Sequence, residues 1–268
     1  MIRIYNESYF EKMRQAAEVL CQTHLALKEV IKPGLTTKDL DKFANKFITE
    51  HKKAIPAQLG YQGFPFTLCT SVNDEICHGY PNDRELKEGD ILSIDNVVNL
   101  DGGLADSCWT YTIGKMSDED QKLVDVNLEA LNRAVKVAIP GNRIGDIGAA
   151  IQDYVERENG FSVIRDFIGH GIGKEMHEDP QVPHYGKAGR GPRIEAGMVF
   201  TIEPMIALGD WHMKLDDNGW TARTVDGSKV SQFEHQLIIH DDGPEIITDQ
   251  AKYKLTEEDI DFIKNYKF

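Results

Sequence analysis

Two ten-residue segments of this chain lie over one another without a gap, and each ends in an acid. Leu86-Lys87-Glu88-Gly89-Asp90-Ile91-Leu92-Ser93-Ile94-Asp95 matches Ile194-Glu195-Ala196-Gly197-Met198-Val199-Phe200-Thr201-Ile202-Glu203. In both, an apolar-rich run of period two reads as a β-strand. It places a hydroxyl and then a carboxylate on one face, Ser93 with Asp95 and Thr201 with Glu203. An acid buried in such a strand is costly unless it is paired or binds a cation. Two copies in one chain point to a duplicated fold with a metal site near its internal two-fold axis.

The duplication extends upstream. Pro33-Gly34 followed by Asp39-Leu40 matches Pro140-Gly141 followed by Asp146-Ile147, at a constant offset of 107 residues. Each Pro-Gly step divides a long helical stretch from a shorter one, because proline disfavours helix in the preceding residue and glycine tolerates left-handed turns. The first long helix is predicted to begin at Ser8, whose Ser-x-x-Glu pattern ends at Glu11, and its counterpart at Ser117, with Asp120 three residues on. Shorter helices follow near 37–52, capped by Thr36 or Thr37, and near 145–158. The sequence then becomes β-rich over 57–113 and 161–240. There, Asn99-Leu100-Asp101-Gly102-Gly103 reads as a hairpin loop between strands 91–98 and 104–113. A last helix, 256–266, starts at the capping box Thr256-Glu257-Glu258-Asp259. No Ser/Gly-rich or Pro-rich linker divides the halves. The expectation is one α+β catalytic domain, 1–268, with two pseudo-symmetric helix–helix–β repeats at 8–113 and 117–240.

The formal net charge of −14 argues against a nucleic-acid backbone as the main partner, since such binders need a basic footprint. No apolar run approaches the roughly 20 residues needed to span a bilayer. The segment from Met1 to Glu7 has no signal-peptide apolar region. Cys21, Cys69, Cys77 and Cys108 form no CxxC pair and read as free, buried thiols in a reducing cytosol. A soluble cytoplasmic protein is expected, with monomer as the default state.

Each half offers a second acid in a neighbouring strand: Asp106 in the run 104–109 and Glu234 in the run 231–239. Eleven residues separate Asp95 from Asp106, enough for a strand, a hairpin loop and part of a return strand, which brings the two carboxylates side by side. The second half takes 31 residues for the same return, so its loop is longer and includes Trp211 to Trp220. Four converging carboxylates would repel one another. Two divalent cations would neutralise them, and oxygen-rich ligands suit Mn, Fe, Co or similar metals. His170, in Gly169-His170-Gly171-Ile172-Gly173, adds a nitrogen on a loop whose glycines permit close backbone approach.

A lone strand carboxylate is more often solvent-facing or ion-paired; the phased duplication is what favours ligation here. His78 and His177 read singly as surface imidazoles, and as a pair flanking the site they could hold a substrate carbonyl and amide. His235 follows Glu234 directly, points to the opposite face and is structural. His24, His51, His184, His212 and His240 have no comparable context. The run at 169–173 is G-x-G-x-G outside any βαβ unit, which excludes a dinucleotide fingerprint, and no G-x-S-x-G elbow occurs.

With those residues in place, the chain resembles the type I methionine aminopeptidases over nearly its whole length. The resemblance is carried by Leu59-Gly60-Tyr61-Gln62-Gly63-Phe64-Pro65, Asn73-Asp74-Glu75-Ile76-Cys77-His78-Gly79, Ile94-Asp95, Ala105-Asp106-Ser107, Gly169 to Gly173, Phe200-Thr201-Ile202-Glu203-Pro204-Met205 and Phe233-Glu234-His235. It implies the pita-bread fold and removal of the initiator methionine from nascent proteins, with proximity to the ribosome. Asp95, Asp106, His170, Glu203 and Glu234 are implied as ligands of two divalent metals. Asp106 and Glu234 would bridge the ions, Asp95 serve one, and His170 with Glu203 serve the other.

The resemblance also implies a metal-bridging water as nucleophile, since coordination lowers a water pKa towards about 7. Glu203 is implied as the group that accepts and relays its proton. His177 would stabilise the oxyanion, and His78 would contact the amide. Tyr61, Phe64, Cys69 and Trp220 are implied as the lining of a methionine pocket, although core packing accounts almost equally well for Phe64 and Cys69. Gln58 stands where a smaller residue is common and Met176 where phenylalanine is expected. Both departures are expected to touch the pocket and not the metal ligands.

The nearest rival is a proline-specific peptidase of the same fold, such as prolidase or aminopeptidase P. Those normally carry a separate N-terminal domain, whereas 32 residues precede the first Pro-Gly here. The second rival, a catalytically silent binding protein, is disfavoured by the five intact ligand positions.

Overall fold

In the computed structural model, which describes residues 1–268, the two halves follow one plan. The first runs α1 (Glu7–Val30), α2 (Thr37–Lys46), β1 (Ile55–Pro56), β2 (Cys69–Val72), β3 (Glu75–Cys77), β4 (Ile91–Leu100) and β5 (Gly103–Thr112). The second opens with α3 (Asp118–Val137), α4 (Ile144–Gln152), β6 (Ser162–Val163), β7 (Gly169–Gly171), β8 (Glu178–Val182) and β9 (Val199–Ile202). It continues through β10 (Met205–Ala207), β11 (Met213–Leu215), β12 (Ala222–Thr224), β13 (Val230–Gln232), β14 (His235–His240) and β15 (Gly243–Ile246) to α5 (Glu257–Asn265).

The helix starts follow local capping chemistry with one correction. Ser8 does not cap α1: Asn6, in extended backbone, accepts the Tyr9 N–H at 3.2 Å, so the helix begins at Glu7. Ser117 caps α3 by accepting the Asp120 N–H at 3.1 Å, and Thr256 caps α5 with Asp259 as its reciprocal partner. Thr36 and Asp39 form a full capping box on α2. Both short helices run on into π-helical turns, Phe47–His51 and Asp153–Glu158. Gly34 and Gly141, at φ +91° and +95°, make the left-handed steps expected after the two prolines.

Strand β4 centres the first sheet. β5 pairs along its whole length through a tight turn at Asp101-Gly102, both at positive φ, while β2 and β1 share its other edge. The second sheet has the order β15-β14-β9-β7-β8, so β7-β9-β14 repeats β2-β4-β5. The halves are joined where the Glu234 N–H donates to the Cys108 carbonyl at 2.8 Å. Side chains add to this seam: Ser107 donates to the Glu234 carbonyl at 3.0 Å, and the Asp106 N–H donates to Gln236 Oε1 at 2.9 Å.

Strand alternation sorts the two faces. Leu92, Ile94 and Tyr111 pack against Leu27, Leu40 and Phe43 of α1 and α2. Phe200, Ile202, Leu237 and Ile239 pack against Leu123, Leu131 and Ile147 of α3 and α4. Each such side chain contributes about 1.5–3 kcal/mol on burial. The alternate positions, Ser93, Asp95, Thr201 and Glu203, are thereby turned the other way. The long return from Glu203 to Glu234 crosses to the first half, where β12 pairs with β3 (Ala222 opposite Cys77, Arg223 opposite Glu75).

Candidate metal centre

The face turned away from the helices opens into a cavity of about 460 Å³ lined by all five candidate ligands. Asp95 lies on β4 and Asp106 on β5, but they are diagonal neighbours and not directly opposed: Asp95 faces Cys108, and Asp106 faces Val97. Glu203 stands just past the end of β9 and Glu234 just before β14, while β7 supplies His170. Asp106, His170 and Glu234 each place a ligand atom within 4.8 Å of the other two. His170 Nε2 lies 3.6 Å from both Asp106 Oδ2 and Glu203 Oε1. That is too far for a hydrogen bond and close to the separation of two donors on one cation, about 3–3.5 Å.

Thr201, singled out above only as a hydroxyl on the acid's face, organises the second half. It accepts the His170 N–H at 3.0 Å and donates to Glu203 Oε1 at 2.9 Å. The His170 ring is fixed too: its Nδ1–H donates to the Gly171 carbonyl at 3.0 Å, which leaves the Nε2 lone pair for the site. Glycine is required on either side. A Cβ at Gly169 would collide with the Thr201 carbonyl, and one at Gly171 with that of Asp179.

Burial and mutual repulsion set the electrostatics. Burial pushes Asp95 up to about 7, against a hydrogen bond from Gln58. Burial and then the Asp95 charge push Glu203 up to about 8. Asp106 and Glu234 are held well above the carboxylate range, first by burial and then by neighbouring acids. Burial drives His170 down to about 3, so it is a neutral donor. Four carboxyls that resist ionising together, beside one neutral imidazole, form an oxygen-rich set that suits a hard or borderline divalent cation.

The flanking residues converge on the same cavity. His177 places Nδ1 2.9 Å from the Tyr61 hydroxyl, and its ring centroid is 4.3 Å from that of His170. His78 sits at φ +53°, a strained setting for a non-glycine residue, with its ring edge-on to Phe167 and Trp220. The pairing of β12 with β3 delivers Trp220, whose ring centroid is 5.2 Å from that of Phe64. Cys69, opposite Asp95 on β2, completes the wall.

Comparison with known proteins supplies the family. The sequence pattern of metallopeptidase family M24 matches residues 11–241. Methionine aminopeptidase 1 of Bacillus subtilis is 48% identical over 236 residues, 88% of this chain and 94% of that protein. The crystal structure of methionine aminopeptidase from Rickettsia prowazekii superposes with a TM-score of 0.90 at 43% identity, covering 92% of this chain and 100% of that one. The chain belongs to the methionine aminopeptidases of family M24. Its α+β architecture is therefore the pita-bread fold, and its use of divalent metal follows from the family. Prolidase from Pyrococcus furiosus, at 20% identity and a TM-score of 0.72, shares the fold alone.

Within this M24 peptidase, two features depart from what the sequence led us to expect. Gln58 is not confined to the pocket wall: its Nε2 donates to Asp95 Oδ1 at 3.0 Å, so this departure reaches a candidate ligand. His184, which had no context in the sequence, accepts the Glu203 N–H at Nε2 at 3.1 Å. Its signal was its position between β8 and β9, which only the fold makes meaningful. Met176 is buried at the cavity wall, as expected of a pocket residue.

Proposed function

We propose that this chain removes the N-terminal methionine of peptides and nascent proteins by metal-dependent hydrolysis, with Asp95, Asp106, His170, Glu203 and Glu234 holding two divalent ions. The observation that carries this reading is the convergence on one cavity of four acids with raised pKa values, Asp106 and Glu234 buried and Asp95 and Glu203 partly so, around a histidine whose Nε2 is free. Asp106 and Glu234, the least exposed of the four site acids, would be shared by the two ions, with Asp95 serving one and His170 and Glu203 the other. Bound divalent ions of the Mn, Fe or Co kind would make hydroxide available from water near neutral pH.

The side chains do the rest. Glu203 takes the proton of the attacking water on a carboxylate oxygen and passes it to the leaving amine. The Tyr61 hydroxyl donates to His177 Nδ1, leaving Nε2–H to donate to the substrate carbonyl as negative charge develops. His78, held between Phe167 and Trp220, contacts the amide next to the scissile bond. Tyr61, Phe64, Cys69 and Trp220 take up the methionine side chain, whose thioether suits aromatic and sulfur neighbours. The same reading places a monomeric enzyme in the cytoplasm, meeting nascent chains near the ribosome.

A comparison of Met-Ala-Ser with Ala-Pro peptides tests this directly. Metal-dependent release of methionine from the first is expected. Preference for the proline peptide would overturn the reading in favour of a proline-specific peptidase.

A further inference from the structure

Gln58 is 7% exposed, and its amide nitrogen faces Asp95 and Cys69. Nε2 donates to Asp95 Oδ1 at 3.0 Å and lies 3.5 Å from Cys69 Sγ. Turning the amide round would set its oxygen against the Asp95 carboxylate, so electrostatics fixes its orientation. Oε1 is left buried without a partner, which ordinarily costs about 1–3 kcal/mol. The backbone beside it is anchored, because the Ala57 N–H donates to the Val97 carbonyl of β4 at 2.8 Å. This is the only hydrogen bond to the Asp95 carboxylate, whereas Glu203 is bonded by Thr201 at 2.9 Å and approached by Gln232 at 3.5 Å.

We infer that Gln58 is a positioning residue, which fixes the plane of the Asp95 carboxylate and so strengthens binding of a divalent cation on that side of the centre. The inference rests on Asp95 being a metal ligand. An N–H on Oδ1 stops rotation of the carboxylate and leaves Oδ2 free to face the centre. Partners of this kind, one step removed from the metal, are worth about 10- to 100-fold in metal affinity.

The test is calorimetric titration of Mn²⁺ into the metal-free full chain, for wild type, Gln58→Met, Gln58→Ala and Asp95→Asn, with melting temperatures recorded in parallel. Gln58→Met keeps the side chain's length and bulk if the alanine variant does not fold. The expected result is a Kd for one Mn²⁺ raised about tenfold or more in both Gln58 variants. Wild-type Mn²⁺ affinity in Gln58→Met, with affinity lost in Asp95→Asn, overturns the inference alone. A melting temperature that falls while Kd stays put does the same, marking Gln58 as a packing residue. Undiminished binding in Asp95→Asn overturns the ligand reading, and the inference with it.

Discussion

His184 accepts the backbone N–H of Glu203 on its Nε2 at 3.1 Å, from a ring that is wholly buried. Burial, then the neighbouring His170, pushes its pKa down to about 3, so the ring stays neutral and Nε2 remains an acceptor. His184→Ala orphans that N–H and opens a cavity beside Glu203. Stability should fall by about 1–3 kcal/mol, and kcat should drop more than KM rises, because Glu203 loses its placement. Urea unfolding and steady-state kinetics on Met-Ala-Ser check both; an unchanged kcat would remove His184 from the site's support.

In the proposed reaction Glu203 has two parts to play, as a candidate ligand and as a candidate proton carrier. Glu203→Gln keeps its size and its contact with Thr201 but cannot take up a proton. A folded protein with kcat lowered about 10²- to 10⁴-fold is expected. Turnover must be compared at equal measured metal content, so that loss of metal is not mistaken for loss of proton transfer. Wild-type turnover under that condition would refute the relay.

Much of this was legible in the sequence because it is local. The duplicated strand, the Asp95–Asp106 hairpin and the caps at Ser117 and Thr256 each rest on contacts within a few residues or on strand period. His170 was legible because glycines on both sides advertise close backbone approach. The start of α1 was misplaced because Asn6 and Ser8 both satisfy the cap preference, and only backbone geometry decides between them. The bond from Gln58 to Asp95, the contact of His184 with Glu203 and the strand pairing that brings Trp220 to His78 were not legible. They depend on the register of strands far apart in sequence, such as β12 on β3, which period and composition do not encode.

Removing metal should expose the mutual repulsion of the acids. Asp95 is raised to about 7 and Glu203 to about 8, against about 4 for unfolded carboxyls. Between pH 4 and 8 the metal-free folded state therefore binds more protons than the unfolded state, so its stability falls as pH rises. The melting temperature of chelated protein should drop between pH 6 and 8.5, and saturating Mn²⁺ should abolish the drop. Mn²⁺ binding at pH 6.5 should also release protons, visible as a dependence of binding heat on buffer ionisation enthalpy. A chelated protein whose melting temperature rises over that range would contradict the raised values.

The C-terminal helix has the opposite pH signature. Asp259 is fully buried, with Lys52 Nζ at 2.5 Å and His51 Nε2 at 2.6 Å. Burial alone would raise its pKa, but hydrogen bonds from Lys52, the Thr256 backbone and His51 outweigh it and bring it down to about 2. This contribution is present above the unfolded value near 4 and lost as pH falls through 2. Asp259→Ala strands Lys52 beside the Phe47 and Phe262 cluster and should cost about 3–5 kcal/mol. Acid unfolding of wild type and variant should converge at the lowest pH; a constant difference down to pH 2 would count against the pairing.

Residues at the start of the chain hold the loop that carries His177. Glu178, directly after it, has a side chain only 7% exposed and takes Arg3 Nη1 at 2.5 Å, the Tyr5 hydroxyl at 2.9 Å and the Glu175 N–H at 3.1 Å. The Tyr5 oxygen in turn accepts the Lys174 N–H at 3.1 Å, and the ring packs so closely on Gly173 that a Cβ there would overlap it. In the double variant Arg3→Ala with Tyr5→Phe, the Glu178 carboxylate keeps only the Glu175 N–H and the 173–178 segment loosens. A displacement of His177 by about 1 Å can cost up to about a hundredfold in rate. Since neither residue touches a candidate ligand, kcat should fall while Mn²⁺ affinity stays at the wild-type value. Kinetics and calorimetry on the same preparation decide it: a loss of kcat that merely tracks loss of bound Mn²⁺ would show that the strap supports the metal centre as a whole and not His177.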